Sequence, residues 1–330
     1  MKYSDVGVNI DKAEVFKKEI KKLVRGTYNK NVLSEIGLFG GLYAFGKDSA
    51  LVSSIDGVGT KTKVACLTGN HEPIGYDVVS HGSNDIVVQG ARPLFFLDYI
   101  GTGHLDSEIA VQLIKGMVRA CKDIGCALIG GETAQMPGIY VEGEYDLAGC
   151  MVGVVEKKKI INGKKIKPRD VVVALASTGL HTNGYTLARK ALLEKYDVKD
   201  YVKELEMTVG DALLQTHKSY SKFIVDLAEK IDIHGLAHIT GGGLIDNIPR
   251  VLPKGAKVVI DQSLWLVPAL FRLIQETGGV PSDDMYRTFN MGIGMVVIVN
   301  EKDVSKIKNG FVIGTVEKTN KESCTEMINT

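Results

Sequence analysis

The segment SSIDGVGTKTK, residues 53–63, gathers an acid, two glycines, hydroxyls and two lysines behind a short apolar run, Ala50-Leu51-Val52. A β-compatible run leading into Asp56-Gly57-Val58-Gly59-Thr60-Lys61 predicts a strand that ends in a tight, glycine-permitted turn. Such a turn presents backbone N–H groups, the Thr60 hydroxyl and the Lys61 ammonium beside the Asp56 carboxylate. N–H groups and an ammonium suit phosphate oxygens, and the carboxylate suits the divalent cation that phosphates carry. A surface hairpin with incidental charges would use the same residue types.

Further candidates lie along the chain. Asn84-Asp85 sits between apolar neighbours; a buried carboxylate is costly unless paired or bound to a cation, so Asp85 reads as a metal ligand or as part of a capping pair. Gly130-Gly131-Glu132-Thr133 follows the apolar run Cys126–Ile129 and repeats the theme of strand, glycines, acid and hydroxyl. Glu132 is thus a further metal or nucleotide candidate. Gly40 and Gly41, within IGLFGGLY, form a second glycine string that could wall a nucleotide, although strand glycines also mark bulges. His181 lies in a polar loop, STGLHTNGY, between a strand and a helix. Three glycines, Gly241 to Gly243, follow Thr240 and open a short helix, a ready anion site.

Several familiar chemistries are excluded by spacing. G-x-S-x-G, H-E-x-x-H and zinc-ligand spacings are missing, as is a G-x-G-x-x-G opening a helix after an early strand. Gly57–Thr62 has Walker A residue types at the wrong spacing. The residues alone define a Mg-nucleotide or phosphate-ester site of a non-P-loop kind. They leave open an ATP-using enzyme and a phosphate-binding regulatory protein without turnover.

The positioning elements are legible in outline. Asp11-Lys12-Ala13-Glu14 resembles an acidic capping box ahead of an amphipathic helix through Phe16, Ile20, Leu23 and Val24. Helical spacing recurs over 73–91. Pro93–Ile100 reads as a buried strand, and a helix opens at Asp106-Ser107 and stops at Gly125. Tyr145–Val155 and Val171–Leu175 are strands. A helix follows around Leu187 to Leu192, and another, Leu266–Thr277, carries Pro268 in its first turn. Val296–Val299 and Phe311–Val316 close the list. The basic stretch Lys157–Arg169, with Gly163 and Pro168, reads as a solvated linker. It divides the chain into residues 1–160 and 170–330, two mixed α+β or α/β domains facing a common cleft.

The chain has 330 residues, 45% hydrophobic and 24% charged, with a formal net charge of +1. That suffices for two cores without disulfides and gives no overall basic footprint for nucleic acid. Five cysteines without a C-x-x-C pair read as reduced thiols. No apolar run reaches the length of a membrane helix, and the start lacks a signal-peptide pattern. A soluble cytoplasmic protein is expected.

Taken together, YSDVGVNID, FGGLYAF, DGVGTKTK, NDIVVQGARPLFFLDY, GGETAQMPGIY, STGLHTNGYTLARK, HITGGGLIDNIPRVLP and MYRTFNMGIGM resemble, in order and over nearly the whole chain, the phosphoribosylformylglycinamidine cyclo-ligase (AIR synthetase) family. Four positions depart from it: Ile55, His81, Gly82 and Arg92. The resemblance implies ATP-dependent closure of formylglycinamidine ribonucleotide to 5-aminoimidazole ribonucleotide, in a Mg-dependent homodimer. Its N-terminal domains would pair through a barrel-like sheet interface, with the site between domains. It further implies that Asp56 and Asp85 hold Mg²⁺, with Glu132 as a weaker third. Lys21, Lys61, Gly57, Gly59 and Thr60 would serve ATP beside a Gly40–Gly41 loop. His181 would be a proton carrier, and Asn183 with Thr240, Gly241, Gly242 and Gly243 would receive the ribotide and its phosphate.

Overall fold

The computed structural model describes residues 19–329; the capping box at Asp11 and the apolar positions Ala13 and Phe16 lie outside them. Residues 19–25 are the described part of helix α1. The first half is built on an open five-stranded sheet. Its strands are β1 (Gly41–Phe45), β2 (Ser49–Gly57), β3 (Arg92–Thr102), β4 (Ala127–Gln135) and β5 (Tyr145–Glu156), in the order β1-β2-β5-β3-β4. Only β3 and β4 run parallel. The sheet has two edges, β1 and β4, so the barrel expected from the resemblance does not close within this chain.

Helices α2 (Lys61–Thr68), α3 (Glu72–Val87) and α4 (Ser107–Ile124) belong to this half. Asp106 caps α4 by accepting from the N–H groups of Glu108 and Ile109, and Gly125 ends it with a left-handed φ of 83°. Helices α3 and α4 cross closely because Gly75 and Gly116 lie at the contact; a Cβ on Gly116 would collide with the Glu72 carbonyl, and one on Gly75 with that of Leu113. The opposite face of the sheet is open. Ile55, Cys150 and Leu97 stand in one transverse row there, and Ile55 is 75% exposed.

The second half holds β6 (Val171–Ala176), β7 (Tyr201–Val202), β8 (Met207–Thr208), β9 (Ile233–His238), β10 (Ala256–Asp261), β11 (Ile293–Val299), β12 (Gly310–Lys318) and β13 (Thr325–Ile328). Six of these form a sheet ordered β13-β10-β12-β6-β11-β9, and β7 pairs with β8 alone. Strands β9 and β11 are buried along their whole length, which explains the near-continuous apolar sequence of β11 without alternation. Helices α5 (Tyr185–Leu193), α6 (Val209–Leu214), α7 (Ser221–Ala228), α8 (Gly243–Asn247), α9 (Ala269–Gly278) and α10 (Ser282–Thr288) complete this half. Pro268 stands at the N-cap of α9, just outside its first turn.

One sequence expectation changes and another is qualified. The string Gly130-Gly131-Glu132-Thr133 is not a turn; it continues β4 in parallel register with β3, Tyr99 opposite Glu132. Gly131 permits this, since a Cβ there would strike Asp98. The basic stretch 157–169 keeps most of its basic side chains exposed, as expected of a solvated linker, but it is tied to the second half. Lys159 pairs with Glu229 at 2.8 Å and Lys165 with Asp232 at 2.5 Å. Ile166 is buried, and Gly163 takes a left-handed φ of 75° where a Cβ would strike the Val251 carbonyl.

Candidate active site between the two sheets

Helix α3 organises the site. Asp77, His81 and Asp85 recur every fourth residue and therefore share one face. That face is buried and meets the second half through the segment between α6 and α7 and through the end of β9. Asp77 Oδ1 accepts the His217 N–H at 2.7 Å. Asn84 accepts the Tyr220 N–H at 2.8 Å and donates to the Lys218 carbonyl at 2.9 Å. Asp85 Oδ1 accepts from His238 Nδ1 at 2.8 Å, and Asp85 Oδ2 accepts from Ser54 Oγ at 2.9 Å.

Asp56 and Asp85 converge, and what they converge on is His81. Its Nε2 lies 2.9 Å from Asp56 Oδ2 and 3.6 Å from Asp85 Oδ2. Burial opposes charge on this imidazole, but the carboxylates of Asp85 and Asp56 outweigh it and hold the pKa at about 9. Burial likewise opposes ionisation of Asp56; the His81 charge and the Gly57 N–H overcome it and bring the carboxyl below its ordinary value. Asp56 Oδ1 accepts that N–H at 2.7 Å. The Asp56 side chain remains about half-exposed, at 54%, while Asp85 is buried.

Lys61 departs from expectation. The turn at Gly59 (φ 59°) leads directly into α2, and the first residue of that helix points inward. Its ammonium is buried, 2.5 Å from Asp77 Oδ2, and donates to the carbonyls of Gln215 (2.7 Å) and His181 (3.2 Å). All three N–H donors of an ammonium are thereby spent on protein groups, so Lys61 holds the two halves together instead of meeting a phosphate. Burial pushes Lys61 down and Asp77 up, against their mutual attraction. Gly57, Gly59 and Thr60 stay at the surface end of β2, partly or fully exposed, with Thr60 Oγ1 3.0 Å from Thr186 Oγ1.

Glu132 is not brought to this cluster. It lies in the same transverse row as Gly57, separated by β5 and β3, about 14 Å away at the usual strand spacing. Gly40 and Gly41 line a cleft of about 530 Å³ with Val24, Ser53, Ser54 and Ile55. Gly40 is tightly packed there: a Cβ would come within 2.9 Å of the Gln89 amide oxygen and 3.1 Å of the Ser53 carbonyl. Lys21 is on the same side of the molecule, 4.0 Å from Glu35, another residue of that cleft.

His181 is buried at a left-handed φ of 62°. Burial, reinforced by neighbouring positive groups, holds its imidazole well below the ordinary value, so it is a neutral and weak base. Asn183 lies two residues on, and a Cβ on Gly241 would come within 3.2 Å of Asn183 Oδ1. The two parts of the expected ribotide phosphate site therefore adjoin. Helix α8 has only five residues, however, so little macrodipole stands behind the glycines. Asn247 braces their loop instead, donating to the carbonyls of Thr240, Gly241 and Gly243. Gly243 packs against the MYRTFN segment, where a Cβ would collide with the Tyr286 carbonyl.

The sequence reading gave no role to Asp77, His81, His217 or His238. The first two were legible from their four-residue spacing with Asp85. His217 lies in an irregular segment and His238 at a strand end; their meeting with α3 is a matter of tertiary structure.

Family models described as the N-terminal and C-terminal domains of AIR synthase related proteins match residues 38–155 and 167–326. The fold is shared with thiamine monophosphate kinase from Aquifex aeolicus, at TM-score 0.67 and 15% identity over 98% of this chain and 99% of that one. It is also shared with the hydrogenase maturation protein HypE in complex with ATP, at TM-score 0.61 and 17% identity over 91% and 85%. Relatives named phosphoribosylformylglycinamidine cyclo-ligase are closer in sequence. The one from Thermoanaerobacter sp. (strain X514) is 53% identical, covering 96% of this chain and 97% of its own. That from Geotalea daltonii is 48% identical, covering 99% and 98%. The chain belongs to the phosphoribosylformylglycinamidine cyclo-ligase family.

Proposed function

We propose that this protein closes formylglycinamidine ribonucleotide to 5-aminoimidazole ribonucleotide at the expense of ATP, releasing ADP and phosphate in purine biosynthesis. The observation that carries the reading is the convergence of Asp56 and Asp85 from separate elements in a chain so similar to cyclo-ligases. An amide oxygen is a poor leaving group and phosphate a good one, so transfer of a phosphoryl group to the formyl oxygen activates that carbon. The amidine-side nitrogen then attacks it and phosphate departs.

Mg²⁺ fits the site by donor chemistry. The two carboxylates meet about His81 Nε2, one of them half-exposed, and hard oxygen donors are what this ion takes; an ion between them would replace the His81 imidazolium as their counter-charge. Asp56 and Asp85 would hold it, and the ion would neutralise charge on the triphosphate. The protein's own work is positioning. Gly57, Gly59 and Thr60 offer donors to the phosphates. Gly40, Gly41 and Lys21 flank the cleft assigned to ATP. Asn183, Thr240 and Gly241 to Gly243 receive the ribotide phosphate. His181 lies behind that loop as the candidate proton carrier. Residues 1–160 would supply ATP binding and dimerisation, and residues 170–330 the ribotide site.

The open face of the first sheet supports a homodimer, because an apolar row such as Ile55, Cys150 and Leu97 marks an interaction surface. No helix among the described residues is long and apolar enough to cross a membrane, and we assign the protein to the cytoplasm. The test is Asp56→Asn at saturating Mg²⁺ and ATP. Loss of a preorganised charged group at the reacting phosphates lowers kcat about 100-fold or more. Near-full product formation would remove Asp56 from the mechanism. ADP release with thiamine monophosphate, and none with the ribotide, would overturn the substrate assignment.

A further inference from the structure

Two loops with different assigned ligands meet at one guanidinium. The glycine string 37–41 comes from the first half and walls the cleft assigned to ATP. The loop 240–243 comes from the second half and is assigned to the ribotide phosphate. Asn247 braces that second loop. Arg250 stands three residues beyond Asn247, in the 3₁₀ turn Ile248–Val251 that extends α8. Side chains three apart eclipse in such a turn, so Asn247 and Arg250 lie on one side of it.

Arg250 Nη1 donates to Asn247 Oδ1 at 3.1 Å, and Thr240 Oγ1 donates to the same oxygen at 3.2 Å. Both lone pairs of that oxygen are then used. The amide nitrogen is thereby turned toward the carbonyls of Thr240, Gly241 and Gly243, to which it donates. A flipped amide would set its N–H groups against the guanidinium, so Arg250 fixes which way round the brace sits. In the other direction, Arg250 Nε donates to the Gly37 carbonyl at 3.1 Å, and the guanidinium lies over the Phe39 ring, 4.0 Å from its centroid. Phe39 and Asn247 are both buried, and a cation–π contact is strongest where water is excluded.

We propose that Arg250 is a positioning residue that couples the two loops, so that ATP and the ribotide each raise the other's affinity. This rests on the ring-closure reading, which gives the loops their ligands. A ligand that orders either loop also fixes the guanidinium, and the other loop is then ordered at a smaller entropic cost. The effect is reciprocal, because coupling between two binding sites is a single free energy. Arginine suits this task and lysine does not: a planar fork donates in two directions while its face stacks on a ring.

The experiment is calorimetric titration of the full-length protein, with Mg²⁺ present, using the non-hydrolysable ATP analogue AMPPCP and formylglycinamidine ribonucleotide. Each is titrated alone and with the other at saturation. Coupling between sites is ordinarily about 5- to 150-fold, and a factor in that range, equal in both directions, is expected for the wild type. Arg250→Met lowers the factor to about 1, and Arg250→Lys, which keeps the charge and loses the fork, lowers it nearly as far. A residue that only stabilised the fold would depress both separate affinities and leave the factor intact. A wild-type factor of about 1, or a factor that survives both substitutions, overturns the coupling; ring closure stands if the wild type still converts the ribotide. Should the wild type not convert it, hydrogen exchange in the ligand-free protein decides. Faster exchange in Arg250→Met at both 38–41 and 240–243 supports the tie between the loops, and faster exchange at one alone, or at neither, overturns it. If Arg250→Met fails to fold, Arg250→Lys gives the answer in both measurements.

Discussion

Lys61 illustrates how far a side chain's neighbours override its place in a motif. Behind G-V-G-T it reads as a phosphate contact, yet it is buried against Asp77. A buried pair contributes modestly as a pair, but removing one partner strands the other, at about 3–5 kcal/mol. Lys61→Met is therefore expected to lower unfolding free energy by about that amount in urea titrations. Adding Asp77→Leu should recover much of the loss. His81 makes a pH prediction for the metal-free protein. Its folded pKa, about 9, lies above the unfolded value near 6.5. The stability it contributes, up to about 3 kcal/mol, is fully present below pH 6.5 and fades as pH rises through 9. Denaturation curves at pH 6 and pH 10 should differ in that direction, and His81→Gln should flatten the difference. Asp56 and Asp85 were legible as carboxylates beside glycines or inside an apolar stretch. That an imidazolium would sit between them was not, because nothing local in the sequence brings β2 to the middle of α3.

At the scale of elements, the sequence was most readable where one physical cue acts alone. Asp106 and Gly125 bound α4 as capping chemistry requires. The uninterrupted apolar runs of β6 and β11 announce strands covered on both sides. It failed where glycine has two uses. Beside Asp56, glycine makes the turn; at Gly131 it lets a neighbouring side chain approach a continuous strand. Contact between helices is a third use, and it can be measured. Gly116→Ala drives a methyl group into the Glu72 carbonyl, so α3 and α4 must separate. Overpacking of this kind costs about 1–3 kcal/mol. A lower melting temperature is expected, together with reduced activity, since α3 carries Asp85.

For the molecule as a whole, long motifs in a fixed order conveyed the family, and the comparisons bear that out. Strand order was beyond reach, because it depends on pairings between distant segments. The row of Ile55, Cys150 and Leu97 lies on the sheet face away from α3 and α4. If a second copy covers it, Ile55→Lys shifts sedimentation from dimer to monomer. An unchanged sedimentation coefficient would move the subunit contact elsewhere.

The inward polar face of α3 also bears on how the polypeptide can be divided. Severed between 157 and 169, the front piece would present Asp77, Asn84 and Asp85 without the amides and imidazoles that satisfy them. The rear piece would lose the acceptors of His217 and Tyr220. Neither fragment is then a good candidate for expression alone, and complementation would require the two to be produced in the same cell.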